Sequence, residues 1–448
     1  MPVVDPRSLV AFRTLLGLTL ALDLLARWRW SWAWYAPDGV LPPALWEQLY
    51  TEPWRWSLHL DASGAAVELS LAAGVLLAVL FGAGVAPSWM ALGAWVIVRS
   101  LENRNPLLRY GGDQLVPLLL LVAAVQPWAG GGARTRRWTG ALLYAQVVVL
   151  YLGAGVAKVV EPAWIDGTAL DRAVHLDALT RPFGHWLAGQ PWLTRLGTWW
   201  TLFAELVVPF GVVVPWWRVR LASLAILISL NLGIFASFDV GWFVVYASAA
   251  CVGCLPGEVW DRLGWTAVDA EGPETRVRSA AAAVLLGFTL VTGVEAWTGK
   301  VHGFWPAPVW QAVRVGGLYQ KWTVFDDVPQ TTRWYVAKAQ LVDGTWVDLL
   351  ADGSAVDYAW TGERNALFRR DFRWRLLLAN VEAQGNDELG RALGRVLAPW
   401  WHRVGGADVA QLVVWRMSAK PGATEAPGVR IIAEWPADDA RDPPPATP

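Results

Sequence analysis

Apolar residues fall in long runs along this chain, separated by short polar joints. Near-continuous hydrocarbon occupies residues 8–26, 64–85, 87–101, 114–129, 138–160, 197–216, 219–237, 241–256 and 278–297. A helix needs roughly 20 apolar residues to cross a hydrocarbon core about 30 Å thick. The pattern therefore predicts an all-α polytopic membrane helical bundle. The runs 87–101, 114–129 and 241–256 are short and read equally as tilted or re-entrant pieces, so the expectation is seven to nine transmembrane helices. After residue 298 the pattern changes. "TRWYVAKAQLVDGTWVDLLADG" holds two strand-like runs around an Asp-Gly turn, a hairpin signal. "ERNALFRRDFRWRLLLANVEAQGNDELGRALGRVLAPWWHRV" reads as one or two amphipathic helices, and "DVAQLVVWRMSA" and "GVRIIAEW" as two more strands. The predicted division is a transmembrane domain at 1–298, a small extramembrane α+β module at 299–436 and a disordered tail at 437–448.

Composition agrees with lipid as the solvent. The chain is 55% hydrophobic and only 17% charged, against about 25% charged in soluble domains. A net charge of −1 gives no basic field for nucleic acid. Cys251 and Cys254 form a C-x-x-C inside an apolar stretch and read as small packing residues. Among 33 tryptophans, the run "RWRWSWAWY" (27–35) reads as an aromatic belt at the membrane surface. "MPVVDPRSLVAF" carries no cleavable signal pattern. Arginines at 134, 136, 137, 218 and 220 place those joints in the cytoplasm. The expected protein then sits in the plasma membrane with its N-terminus inside and the module outside.

Several runs nevertheless carry charge: Arg13, Asp23, Glu68, Arg99, Asp113, Lys158 and Glu205. A charge near the bilayer centre costs roughly 2.5–3.5 kcal/mol, so such groups face a cavity or each other. Asp23 and Arg99 lie near run ends and read as snorkelling side chains. Glu68 and Glu205 lie deeper and need a cation, with Lys158 available. The stretch 98–120 gathers Arg99, Glu102, Asn103, Arg104, Asn105, Arg109 and Asp113 around "GG". It reads either as a self-satisfied interfacial loop or as arginines forking onto carboxylate or phosphate. The third feature is "GAGVAKVVEPAWIDG" (153–167), with Lys158 alone among glycines and valines. Apolar surroundings disfavour the charged form of an amine, which suits it to act as a base near neutral pH.

Three segments carry a family resemblance. "FRTLLGLTLALDLLARW…YAPDGVLP" (12–42), "ENRNPLLRYGGDQLVPLLLLVAAVQP" (102–127) and "YLGAGVAKVVEPAWIDGTAL" (151–170) together resemble the horizontally transferred transmembrane (HTTM) superfamily, which includes the vitamin K-dependent γ-glutamyl carboxylases. The resemblance implies Lys158 as the catalytic base towards vitamin K hydroquinone or another quinone, with Arg104, Asn105, Asp113, Glu205 and Trp164 as substrate-binding candidates. It implies a protein or peptide substrate and no metal. The chain departs from the carboxylases where they carry Asn-His, reading "YGGDQL" instead. The alternative is a non-catalytic binding, assembly or maturation factor in which Lys158 pairs with Glu205 or Glu68, and a transporter comes last. "YQKWTVFDD" (319–327) reads as a structural joint, with Trp322 and Phe325 packing against the outer face of the bundle.

Overall fold

Each apolar run forms a helix in the computed structural model, which describes residues 3–52, 54–128, 133–176, 179–266, 275–298, 305–323, 325–359, 371–420 and 427–436. We label these helices α1 (Pro6–Arg29), α2 (Gly64–Ala83), α3 (Pro87–Arg104), α4 (Gly111–Val125), α5 (Ala133–Lys158), α6 (Pro191–Leu206), α7 (Trp217–Ser237), α8 (Phe243–Gly253) and α9 (Arg276–Thr298). Among the described residues, five are long and apolar enough to cross a membrane: α1, α2, α5, α7 and α9. The others are short, at 15 residues for α4, 16 for α6 and 11 for α8, or end in charge, as α3 does with Arg99, Glu102 and Arg104. The 197–216 run breaks because Pro209 has no N–H and its ring clashes with the carbonyl four residues back. Helix α6 therefore stops at Leu206, and a separate turn covers Val208–Val212. The apolar stretch of α5 is 78% buried whereas that of α9 is 22% buried, so α5 is central and α9 faces outward. Cys251 and Cys254 are free and buried in the packing.

Alternating helices bring their ends together at two levels. At one, Asp5 caps α1 through the Arg7 amide, and Arg7 pairs with Asp5 at 3.0 Å and Asp261 at 2.7 Å. At the other, α1 ends beside the start of α4, and Asp23, Arg27 and Asp113 form a buried cluster. Asp23 and Arg99 do not snorkel. Both are buried: Asp23 pairs with Arg27 at 2.9 Å, and Arg99 pairs with Glu102 one turn on. Glu68 stands exposed, and the carboxylate beside Lys158 is that of Glu205.

The C-terminal module is a four-stranded antiparallel sheet of order β2-β1-β3-β4, with β1 Thr332–Leu341, β2 Trp346–Asp348, β3 Val409–Ala419 and β4 Gly428–Trp435. The hairpin turns at Asp343-Gly344, where Gly344 has φ +88°, a value that favours glycine. Helices α10 (Arg373–Gln384) and α11 (Asp387–Arg403) pack with it. Gly390 and Gly394 let α11 lie against the β4 backbone: a Cβ at Gly390 would meet the Ile432 carbonyl oxygen at 2.6 Å.

Helix α10 ties the module to the bundle. Arg373 reaches Asp23 at 2.9 Å and Asp113 at 3.4 Å, and Asn380 Nδ2 donates to the Leu107 carbonyl at 2.6 Å. Trp374 packs edge-on to Trp30, 5.3 Å between ring centres, and 5.7 Å from Trp34. The expected membrane-surface belt is thus partly a docking surface: Trp30 and Trp34 are buried because α10 covers them.

His59, between the short helix Pro43–Leu49 and α2, is buried between two hydroxyls, Ser70 at 2.7 Å from Nε2 and Ser100 at 2.7 Å from Nδ1. Burial, with the nearby Arg104 charge, pulls it down from 6.5 to about 4. In that window the unfolded chain binds a proton that the folded one refuses. Stability is therefore full above pH 6.5 and falls as the pH drops towards 4, by up to about 3 kcal/mol. Melting temperatures of wild type and His59→Gln across this range check it; equal acid sensitivity would exclude His59 as the cause.

Candidate functional site

The site is built on the last turns of α5, where "LGAGVAK" places glycines three and five residues before the lysine. A Cβ at Gly155 would lie 3.0 Å from Glu205 Cβ and 2.9 Å from Leu206, so the missing side chain lets α6 come close. A Cβ at Gly153 would lie 2.9 Å from the Trp322 ring. Gly153→Val is expected to push Trp322 aside and destabilise the protein by about 1–3 kcal/mol. A thermal melt of the purified variant reads this, and an unshifted melt would contradict the packing.

That approach pairs two buried charges. Lys158 and Glu205 are 3% and 4% exposed, and Nζ lies 3.0 Å from Oε1 and 2.9 Å from Oε2. Nζ also donates to the Ala154 carbonyl at 3.5 Å and lies 5.2 Å from the Trp164 ring centre. Trp164 is fixed by its Nε1 donating to the Phe325 carbonyl at 2.9 Å. Of the candidates from the sequence, Lys158, Glu205 and Trp164 therefore converge.

These three line a cavity of 60 Å³ together with Tyr151, Thr201 and Asn231. A single water needs about 10–15 Å³, so the space holds a few water-sized groups. Asn231 Nδ2 donates to the Tyr151 hydroxyl at 2.7 Å and to Ser248 Oγ at 3.0 Å. Trp322 and Phe325 line the cavity; both were expected to pack against the outer face of the bundle. Trp322 goes deeper than that, because Gly153 opens a slot for its ring and Gln320, bonded to Gln146 at 2.9 Å, accepts its Nε1 at 3.1 Å.

The remaining candidates lie elsewhere. Arg104 donates to the carbonyls of Leu41 at 2.7 Å and Ala36 at 3.0 Å, and Asn105 to that of Trp34 at 2.8 Å. They hold the 34–41 loop from within the fold. Asp113 belongs to the cluster with Arg27 and Arg373. Arg373 escaped the sequence reading, as did the place of Trp322 and Phe325 in the cavity wall. An arginine among the five in 363–375 carries no periodic mark that separates an inward-facing side chain from a solvated one.

No curated protein and no solved structure matches the chain. Residues 43–262, which contain all six sequence candidates, match the model of the lipase maturation factor transmembrane domain, a membrane-domain family that is not specifically the HTTM superfamily resembled by the three segments.

Proposed function

We propose that this multi-pass membrane protein is a maturation factor for a protein client, with the bundle as a scaffold and the docked C-terminal module as the part that meets the client outside the lipid. The observation that carries this reading is the match of 43–262 to a transmembrane domain named for lipase maturation. The geometry of Lys158 agrees with it. Both oxygens of Glu205 engage the ammonium, as in a structural ion pair. A test is to deplete the protein from cells that co-express a secreted lipase. The expected result is a loss of about tenfold in secreted lipase activity at unchanged transcript level. Unchanged activity and secretion of every exported protein would overturn the reading.

A second reading keeps Lys158 as a base towards a quinone or other lipid-phase substrate, and the observation favouring it is the partly open, mostly apolar cavity beside the amine. At 60 Å³ the cavity admits a quinone ring only if Trp322 or Phe325 swings away. Lys158-dependent oxidation of vitamin K hydroquinone by purified protein supports this reading; none removes it.

A further inference from the structure

A second cavity, of 290 Å³, lies where the end of α3 and the start of α4 meet residues 314–323. Four cationic side chains line it, Arg99, Arg109, Arg314 and Lys321, against one carboxylate, Asp113. That carboxylate is committed to Arg27 and Arg373, and the neighbouring Glu102 to Arg99. Arg109, Arg314 and Lys321 have no ion pair among the described residues.

The cations are held in place. The Arg314 guanidinium stands 4.7 Å from the Trp310 ring centre, 5.2 Å from Trp54 and 5.3 Å from Tyr319. Its main-chain oxygen accepts from Arg99 Nη2 at 3.2 Å, which sets the two arginines side by side. Arg99 is 2% exposed, and the Nε atoms of Arg99 and Arg314 are buried without a hydrogen bond among the described residues. Gly317, at φ +67°, brings the backbone so near that a Cβ would lie 2.9 Å from Arg99 Nε. The Gln114 amide pairs with the main chain of Lys321 and so joins that segment to α4.

Clustered cations at partly buried positions are costly unless a counter-ion joins them. We propose that this cavity binds a phosphate group, taken from a phospholipid headgroup or from free phosphate. Three unpaired cations approach from different elements, an arrangement that suits several oxygens around one phosphorus, whereas a carboxylate is satisfied by one arginine fork. The cavity lies where the apolar stretches of α3 and α4 give way to the polar loop between them. The site goes beyond the maturation reading and does not depend on it.

The test compares wild type with Arg109→Gln/Arg314→Gln, each purified as full chain and checked for monodisperse elution. In one arm, native mass spectrometry reads retained phosphatidylglycerol against phosphatidylcholine after reconstitution in an equal mixture. In the other, melting is followed in phosphatidylcholine nanodiscs as inorganic phosphate rises to millimolar levels. Selective retention of phosphatidylglycerol, lost at least tenfold in the variant, identifies the headgroup. A variant-sensitive rise in melting temperature with inorganic phosphate and no lipid selectivity identifies free phosphate. Where the double variant fails to fold, Lys321→Gln takes its place, since that side chain is exposed, with an expected loss of about threefold. Wild type that neither prefers phosphatidylglycerol nor responds to phosphate, or responses that the substitutions leave unchanged, overturns the proposal.

Discussion

Arg373→Met is expected to destabilise the protein by about 3–5 kcal/mol, the usual cost of leaving a buried charge without its partner. Arg373 and Arg27 balance Asp23 and Asp113 in a cluster whose side chains are nearly inaccessible to water. Removing one guanidinium leaves a net negative charge there. Because Arg373 sits at the start of α10, the loss also loosens Trp374 from Trp30 and Trp34. The module should then become sensitive to protease while the bundle stays intact. Arg373→Met with Asp23→Asn restores neutrality and is expected to regain the greater part of the lost stability. Thermal melting and limited proteolysis of the single and double variants measure this. A single variant with unaltered melting and cleavage would show that the cluster does not anchor the module.

The second large effect concerns Lys158 and Glu205. Lys158→Met strands a buried carboxylate and Glu205→Leu a buried ammonium, each at about 3–5 kcal/mol. The double variant Lys158→Met/Glu205→Leu replaces the pair with hydrocarbon of similar length, a change that is often neutral or stabilising. A coupling energy of several kcal/mol across the four proteins is therefore expected from denaturation. The same four proteins separate the two functional readings. If the pair is structural, the double variant folds and still supports the client. If the amine is a base, the double variant folds and is inactive.

Much of the architecture was legible in the chain. The nine apolar runs, the Asp343-Gly344 turn and the strands at 409–419 and 428–435 all appear as helices, a turn and strands. Each depends on neighbours within a few residues, through period, length or turn chemistry. The sequence also offered Glu205 or Glu68 as the partner of Lys158, since an ammonium and a carboxylate in apolar runs need one another, and of the two it is Glu205 that lies against the amine. It erred where an exposed position and a covered one look alike. Trp30 and Trp34 have the pattern of a membrane belt, yet α10 packs over them. Asp23 lies near a run end, as a snorkelling residue does, yet an arginine 350 positions later in the chain reaches it.

What the sequence determined by itself was the pattern of each segment: long apolar runs in the first 298 residues, five of which form helices long and apolar enough to cross a membrane among the described residues, and shorter alternating runs after them. Tertiary structure alone decided which charges meet. Asp113 went to Arg27 and Arg373, Arg104 and Asn105 to loop carbonyls, and Lys158 to Glu205 through the gap left by Gly155. The physical reason is range. Hydrophobic periodicity is a property of adjacent residues, whereas an ion pair in a low-dielectric interior depends on distances set by packing between helices remote in the chain.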